Sequence, residues 1–151
     1  MLSERAKEAL DFALIKHAGQ VDKADRPYLG HVLRVALEVL PLGEEYFIVG
    51  LLHDILEDTD VTKEEIKSRW GDDIADAVES VTRRITPTKE PYSELIIRSA
   101  QNKIGRMVKL ADNKDNSDPA RIANLPPDQQ GITKRYAKAR RVLEGFSEEH
   151  V

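Results

Sequence analysis

Residues 46 to 52 are almost wholly apolar, and the run leads straight into His53-Asp54-Ile55-Leu56-Glu57-Asp58-Thr59. No other feature constrains the fold as strongly. A helix that is apolar on most sides must lie inside a protein with other helices around it. Burying His, Asp, Glu and Asp without partners costs several kcal/mol per group. The polar end of the run therefore needs compensation, and a divalent metal is the most economical form of it. Residues four apart share a helix face. With one helix from about Glu44 to Glu57, His53 is expected beside Glu57 and Asp54 beside Asp58. Two ligand-type side chains would then lie one turn from two carboxylates able to manage a water.

The rest of the chain supplies helices to surround that segment. Ala6, Ala9, Leu10, Ala13, Leu14 and His17 follow three-four spacing and predict a first helix over Ser3 to His17, ended by Gly19. After a polar loop at 20–28, a second helix is expected from Leu29 to Leu40, stopped by Pro41-Leu42-Gly43. Thr62 to Glu65 reads as a capping box that starts a short helix ending at Gly71. Ile74, Ala77, Val78 and Val81 mark a further one, and a long helix is expected from Tyr92 to Asp112. Residues 113–127 read as a loop. Pro126-Pro127 precede a last helix with Ile132, Tyr136, Ala139, Leu143 and Phe146 on one face, and a frayed tail is expected from Ser147. No strand alternation and no repeat is visible. The fold class is all-α, a helical bundle of about seven or more helices in one domain over residues 1–151.

The absence of cysteine excludes disulfides, thiolate zinc sites and cysteine nucleophiles. No signal-peptide pattern opens the chain, and no apolar run reaches the ~20 residues of a membrane span, so a cytoplasmic protein without membrane partners is expected. A net charge of −4 disfavours nucleic acid as a partner. A small anionic substrate remains compatible, because a metal and a few cations can reverse the potential inside a pocket.

Two more residues converge on the opening motif. His31 begins the second helix, and Asp112, four residues after Val108, points to the core side of the sixth. Asn116, one turn on, is placed to orient a ligand or water. Each has an ordinary reading alone: a satisfied core histidine, a helix-end aspartate, a solvated Glu57-Asp58 terminus. Together those readings must explain two buried histidines, a His-Asp pair in an apolar helix and a core-facing aspartate. The mixed nitrogen and oxygen set His31, His53, Asp54 and Asp112 suits manganese, iron or zinc, with magnesium also possible. Glu57 or Asp58 is the candidate catalytic base. Candidate substrate contacts are Lys23, Arg26, Tyr28, Lys109 and Asn116, with Lys103 and Arg106 as further cations for a polyphosphate. His17 and Trp70 read as structural, and His150 as a tail residue.

These motifs resemble the HD-domain metal-dependent phosphohydrolases. More narrowly they resemble the RelA/SpoT-type (p)ppGpp hydrolase domain and its stand-alone small alarmone hydrolases. His17-Ala18-Gly19-Gln20 is similar to that family's HxGQ element, and Pro27 to His31 to its PYxxH element. Leu51 to Thr59 is similar to its LLHDxxEDT run. Trp70-Gly71 with Val81-Thr82-Arg83 resembles its FG and VTK positions, and Lys109 to Asp112 with Asn116 its KLADxxxN segment. The resemblance spans about residues 4 to 125. It implies a manganese ion held by His31, His53, Asp54 and Asp112, with Glu57 and Asp58 positioning the attacking water. It implies removal of the 3′ diphosphate of ppGpp or pppGpp as pyrophosphate.

The resemblance breaks in the loop between Gln20 and Pro27. Asp22 stands where the family usually has arginine and Ala24 where it has serine, while Val32 replaces a proline and Asp115 a histidine or tyrosine. A carboxylate does not stack on a purine as a guanidinium does. This favours an alternative substrate on the same metal chemistry: a nucleoside monophosphate, a phosphorylated dinucleotide or a cyclic nucleotide. Products separate these readings: pyrophosphate against orthophosphate or an opened cyclic diester. A third reading, a non-catalytic nucleotide sensor, is opposed by the intact Glu57 and Asp58.

Overall fold

The computed structural model describes residues 2–145. Phe146, the tail from Ser147 and His150 lie outside them. Ten α-helices are present among the described residues: α1 Glu4–Lys16, α2 Tyr28–Val39, α3 Glu44–Leu52, α4 Ile55–Asp58, α5 Lys63–Trp70, α6 Asp72–Ser80, α7 Tyr92–Ala100, α8 Lys103–Asn116, α9 Pro119–Ala123 and α10 Thr133–Gly145. Short 3₁₀ turns cover Leu40–Leu42 and Pro127–Ile132. The only β feature among the described residues is an isolated bridge between Val21 and Pro27. The bundle is all-α, as the periodicity predicts.

α3 occupies the centre. Phe47 to Leu52 are all buried, and the helix packs against α1, α2, α6 and α8. Gly50 allows the crossing with α2: a Cβ there would lie 2.8 Å from the Ala36 Cα, inside backbone contact distance. The helix ends follow their caps. The Ser3 hydroxyl accepts from the Ala6 N–H, and the Thr62 hydroxyl from the Glu65 N–H. Trp70 is a packing residue: its indole N–H donates to the Arg5 carbonyl, and its ring meets Phe12 edge-on at 5.4 Å. A smaller apolar cluster, Ile96, Ala100, Ala139 and Leu143, joins α7 to α10.

Three expected boundaries differ from the observed ones. The run from Glu44 is not one helix but breaks at His53-Asp54. The His53 ring donates from Nδ1 to the Gly50 carbonyl at 2.7 Å, which is the acceptor that the Asp54 N–H would use in a continued helix. The run from Tyr92 breaks at Gln101-Asn102, because the Asn102 side chain accepts from the Gly105 N–H at 2.8 Å and starts a new helix there. That helix, α8, does not stop at Asp112 but continues to Asn116. Its polar end reads as a loop, yet Asn113 is buried with both amide atoms engaged, by the Tyr136 carbonyl and by Arg140. The expected loop at 113–127 is therefore the last turn of α8 followed by α9.

Candidate functional site

Two features of the backbone aim the chemistry. The break after α3 turns the His53 ring and the Asp54 carboxylate inward. The continuation of α8 keeps Asp112 in mid-helix, facing the same point. His31 reaches it from the first turn of α2. Its Nε2 lies 2.9 Å from Asp112 Oδ1 and 3.6 Å from Asp54 Oδ2. His53 Nε2 lies 2.9 Å from Asp54 Oδ2, 3.4 Å from Asp112 Oδ1 and 3.3 Å from His31 Nε2. One atom from each of these four residues lies within 4.8 Å of every other. They come from two helices, α2 and α8, and the turn between α3 and α4.

The chemistry of this donor set fits a divalent cation. Each histidine ties Nδ1 to an oxygen, Asp115 Oδ2 at 2.6 Å for His31 and the Gly50 carbonyl for His53. The Nδ1 atoms are therefore the donors, and both Nε2 lone pairs face the carboxylate oxygens. Four acceptors converging in a buried place require positive charge. Burial alone lowers the imidazole pKa values, yet Asp112 and Asp115 drive His31 up, and Asp54 and Asp112 drive His53 well up. Burial alone would raise the two carboxyls, but His53 pulls Asp54 down, while Lys109 and both histidines pull Asp112 down. The cluster draws cations from either side.

A surrounding shell holds these four residues in place. Tyr28 donates its hydroxyl to Asp54 Oδ2. Its phenol is pushed far up by burial and then by Asp54, so it remains a donor. Asn116 donates to Asp112 Oδ1 at 3.1 Å, as the one-turn spacing predicts. Lys109 is buried with Nζ 3.2 Å from Asp112 Oδ2. Asp115 carries His31 on one side, Arg34 at 2.7 and 3.2 Å, and Arg121 at 2.9 Å. It is held far below the usual carboxylate range: desolvation raises it, but the His31 and Arg34 bonds outweigh that.

Glu57 and Asp58 sit at an exposed rim one turn beyond, on α4. The break in the helix alters their expected pairing. Glu57 accepts from the Arg83 N–H, and Asp58 Oδ2 accepts from the Gln20 side chain at 3.1 Å. Neither is a partner of His53 or Asp54, although the Asp54 charge still reaches both. Loss of hydration, then Asp54, raises both carboxyls above their ordinary values. This is the direction that suits a general base near neutral pH.

A cleft of about 250 Å³ opens beside the cluster, lined by Lys23, Tyr28, Asn116, Arg121 and Tyr136 among others. Tyr28 and Asn116 belong to both the cleft and the cluster. Of the expected substrate contacts, Lys23 is exposed at the cleft, but Arg26 is not there. It lines a second hollow, with Gly30, Arg34 and Asp118, that shares Asp22 and Arg121 with the cleft. Lys109 is committed to Asp112. Lys103 and Arg106 lie nine and six residues before Asp112 on α8, roughly 13 and 9 Å along the axis.

Periodicity and spacing do not identify Asp115, Arg34, Arg121 or Gln20 as part of the site. Asp22 explains Arg121. Its Oδ1 accepts from the N–H groups of Ala24 and Arg26, fixing the loop, and its Oδ2 lies 3.8 Å from Arg121. The signals in the sequence are that Gln20 closes the HxGQ-like element and that Asp22 and Asp115 are both acidic where the similar family is basic or aromatic.

A family model for the HD domain matches residues 9–123. The chain belongs to the HD domain family. It is similar to the guanosine-3′,5′-bis(diphosphate) 3′-pyrophosphohydrolase of Aquifex aeolicus (strain VF5), 42% identical over 121 residues that cover 76% of this chain and 17% of that protein. It is also similar to the Drosophila melanogaster guanosine-3′,5′-bis(diphosphate) 3′-pyrophosphohydrolase MESH1, 33% identical over 76% of this chain and 68% of the relative. The chain thus spans about a sixth of the length of the first relative and two thirds of the second. The solved structure of a metazoan ortholog of SpoT that hydrolyzes ppGpp superposes with a TM-score of 0.82 at 26% identity, over 98% of this chain and 90% of that one. No helix of the described residues is long and apolar enough to cross a membrane.

Proposed function

We propose that this protein is a metal-dependent hydrolase that removes the 3′ diphosphate of (p)ppGpp as pyrophosphate. The observation that carries the reading is the convergence of His31, His53, Asp54 and Asp112 on one buried point, with two carboxylates at its rim and a cleft beside it. The names of the relatives give the substrate. His31, His53, Asp54 and Asp112 would hold the metal, which we take to be manganese, with iron, zinc or magnesium as alternatives. When bound, the metal supplies Lewis acidity toward a phosphoryl oxygen and a more acidic water.

The chain's own residues do the rest. Asp58 or Glu57 accepts a proton from the attacking water. The water oxygen forms the new bond to phosphorus, the bond to the 3′ oxygen breaks, and that oxygen takes up a proton. GDP or GTP leaves with pyrophosphate. Asp115 and the Gly50 carbonyl hold the imidazoles in the tautomer that presents Nε2. Tyr28 and Asn116 hold the two carboxylates while facing the cleft where the nucleoside sits. Lys23 and Arg121 are the cations nearest to it. We take residues 1–151 as one HD-type domain working in the cytoplasm.

A second reading keeps the metal chemistry and changes the nucleotide. The Asp22–Arg121 pair favours it, because it puts a carboxylate into the cleft wall. Incubating the purified protein with ppGpp, and in parallel with nucleoside monophosphates and cyclic nucleotides, separates the two. GDP and pyrophosphate from ppGpp support the first. Intact ppGpp with orthophosphate or an opened diester from another nucleotide overturns it in favour of the second.

A further inference from the structure

His17 caps α1 and is only 1% exposed, outside the ligand set. Its Nδ1 lies 2.7 Å from Oε1 of Gln20, and Nε2 of Gln20 donates to Asp58 Oδ2. The three side chains form a line that ends on a candidate base. Each member fixes the next. An ionised carboxylate only accepts, so the amide must turn its NH₂ to Asp58. That leaves Oε1 for His17, whose Nδ1 must then carry the hydrogen. The Gln20 backbone is held at both ends, by its N–H on the His17 carbonyl and its carbonyl under the Tyr28 N–H.

The other imidazole nitrogen, Nε2, is buried without a hydrogen-bond partner among the described residues. An orphaned acceptor is destabilising. An apolar ring would fill the same space without one, so packing does not account for an imidazole here. The Nδ1 bond does. The His17 ring also stands 5.6 Å from that of Tyr28, whose hydroxyl serves Asp54.

We propose that His17 is a positioning residue for the hydrolysis, acting through Gln20 to hold Asp58 in one orientation at the rim of the cluster. The proposal rests on the reading in which Asp58 handles the attacking water. Without Gln20, an aspartate at an exposed helix end samples several rotamers. With the amide pinned from behind, it keeps one.

The test compares wild type with His17→Phe, His17→Asn and Gln20→Leu. It reads kcat and KM for ppGpp, manganese affinity, and the NMR resonances of the Gln20 side-chain NH₂. Asparagine carries an amide nitrogen where histidine carries Nδ1. His17→Phe and Gln20→Leu should each lower kcat about 10–100-fold, with KM and manganese affinity changed by less than about two-fold. Their double variant should be no worse than either alone. His17→Asn should recover most of kcat and return the Gln20 resonances toward wild type. Wild-type kcat in Gln20→Leu or His17→Phe overturns the proposal, as does a loss shared between KM and metal affinity. If His17→Phe does not fold, Gln20→Leu and His17→Asn decide by the same criteria. If wild type leaves ppGpp intact, the alarmone reading has failed and the NMR arm decides alone. Gln20 resonances that move in both His17→Phe and Asp58→Asn support the chain of contacts. Resonances that ignore His17→Phe sink it.

Discussion

The ligand cluster and the cleft beside it are built differently. The cluster is buried, drawn from two helices and a turn, and each of its four residues has at least one further partner holding it. The cleft is walled by an exposed loop at 21–26, the short helix α9 and a 3₁₀ turn. Changing a side chain in the cluster removes a donor that nothing nearby replaces. Changing one in the cleft changes which molecule fits. On the proposed function, reaction chemistry falls to the part with the most partners per residue, and selectivity to the part with the fewest. The bond of Asp115 to both His31 and Arg121 links the two.

The largest effects should come from inside the cluster. Asp54→Ala should abolish manganese binding and turnover together, read by calorimetry and product assay. Wild-type turnover in that variant would show that the cluster is not the metal site. Glu57→Gln, at the rim, should keep the metal while turnover falls by about 10²–10⁴-fold. A comparable loss of metal would move Glu57 into the ligand set.

Next comes the connection between the two regions. Asp115→Asn leaves His31 an oxygen acceptor but removes the charge behind it, and should weaken manganese binding by about 10–100-fold. Unchanged affinity would mean that Asp115 only ties down Arg34 and Arg121.

The titration of the cluster gives an opposing pair of pH dependences. His31 and His53 have folded-state pKa values raised above the ordinary 6.5. Their contribution to the metal-free protein is thus fully present below about pH 6.5 and lost as pH rises through the raised values. Asp54 and Asp112 are lowered, so theirs is present above about pH 4 and lost as pH falls further. Manganese needs neutral imidazoles, so its affinity should rise with pH over the range where the metal-free protein loses stability. Thermal melts with and without manganese from pH 5 to 9 read both slopes. Parallel curves would contradict the assignment.

The smallest effect belongs to the cleft. Asp22→Asn keeps an oxygen for the Ala24 and Arg26 N–H groups but removes a negative charge from the wall. KM for an anionic nucleotide should fall by about five-fold, worth about 1 kcal/mol, with kcat and metal affinity unaltered. A matching change in kcat would erase the distinction between the two regions.

The same contrast decides how much the sequence reveals. The buried α3, the cap at Thr62, the stop at Gly71 and the His53-Asp54 pair follow from local patterns of burial and spacing, and His31 and Asp112 stand out as titratable side chains at a helix start and at a core-facing position. Periodicity measures burial, however, and does not register a single side chain competing for a backbone hydrogen bond. That is why the breaks made by His53 and Asn102 are missed, and why Glu57 and Asp58 acquire Arg83 and Gln20 as partners rather than the neighbours one helix would give them. Asn113 has the opposite effect: a polar residue satisfied across space extends a helix past the point where the sequence turns polar. Asp115 lies 84 residues from His31, and spacing carries no information at that range. Arg26 shows the limit within a loop, where neighbouring cations, Lys23 and Arg26, line different hollows.

The most direct test of the account is a manganese titration into chelator-stripped protein, with bound ion and ppGpp turnover followed in the same sample. Release of GDP and pyrophosphate should rise in step with manganese uptake at a single class of site and level off when that site saturates. Turnover at full rate before any manganese is bound, or saturated manganese with ppGpp untouched, would contradict it.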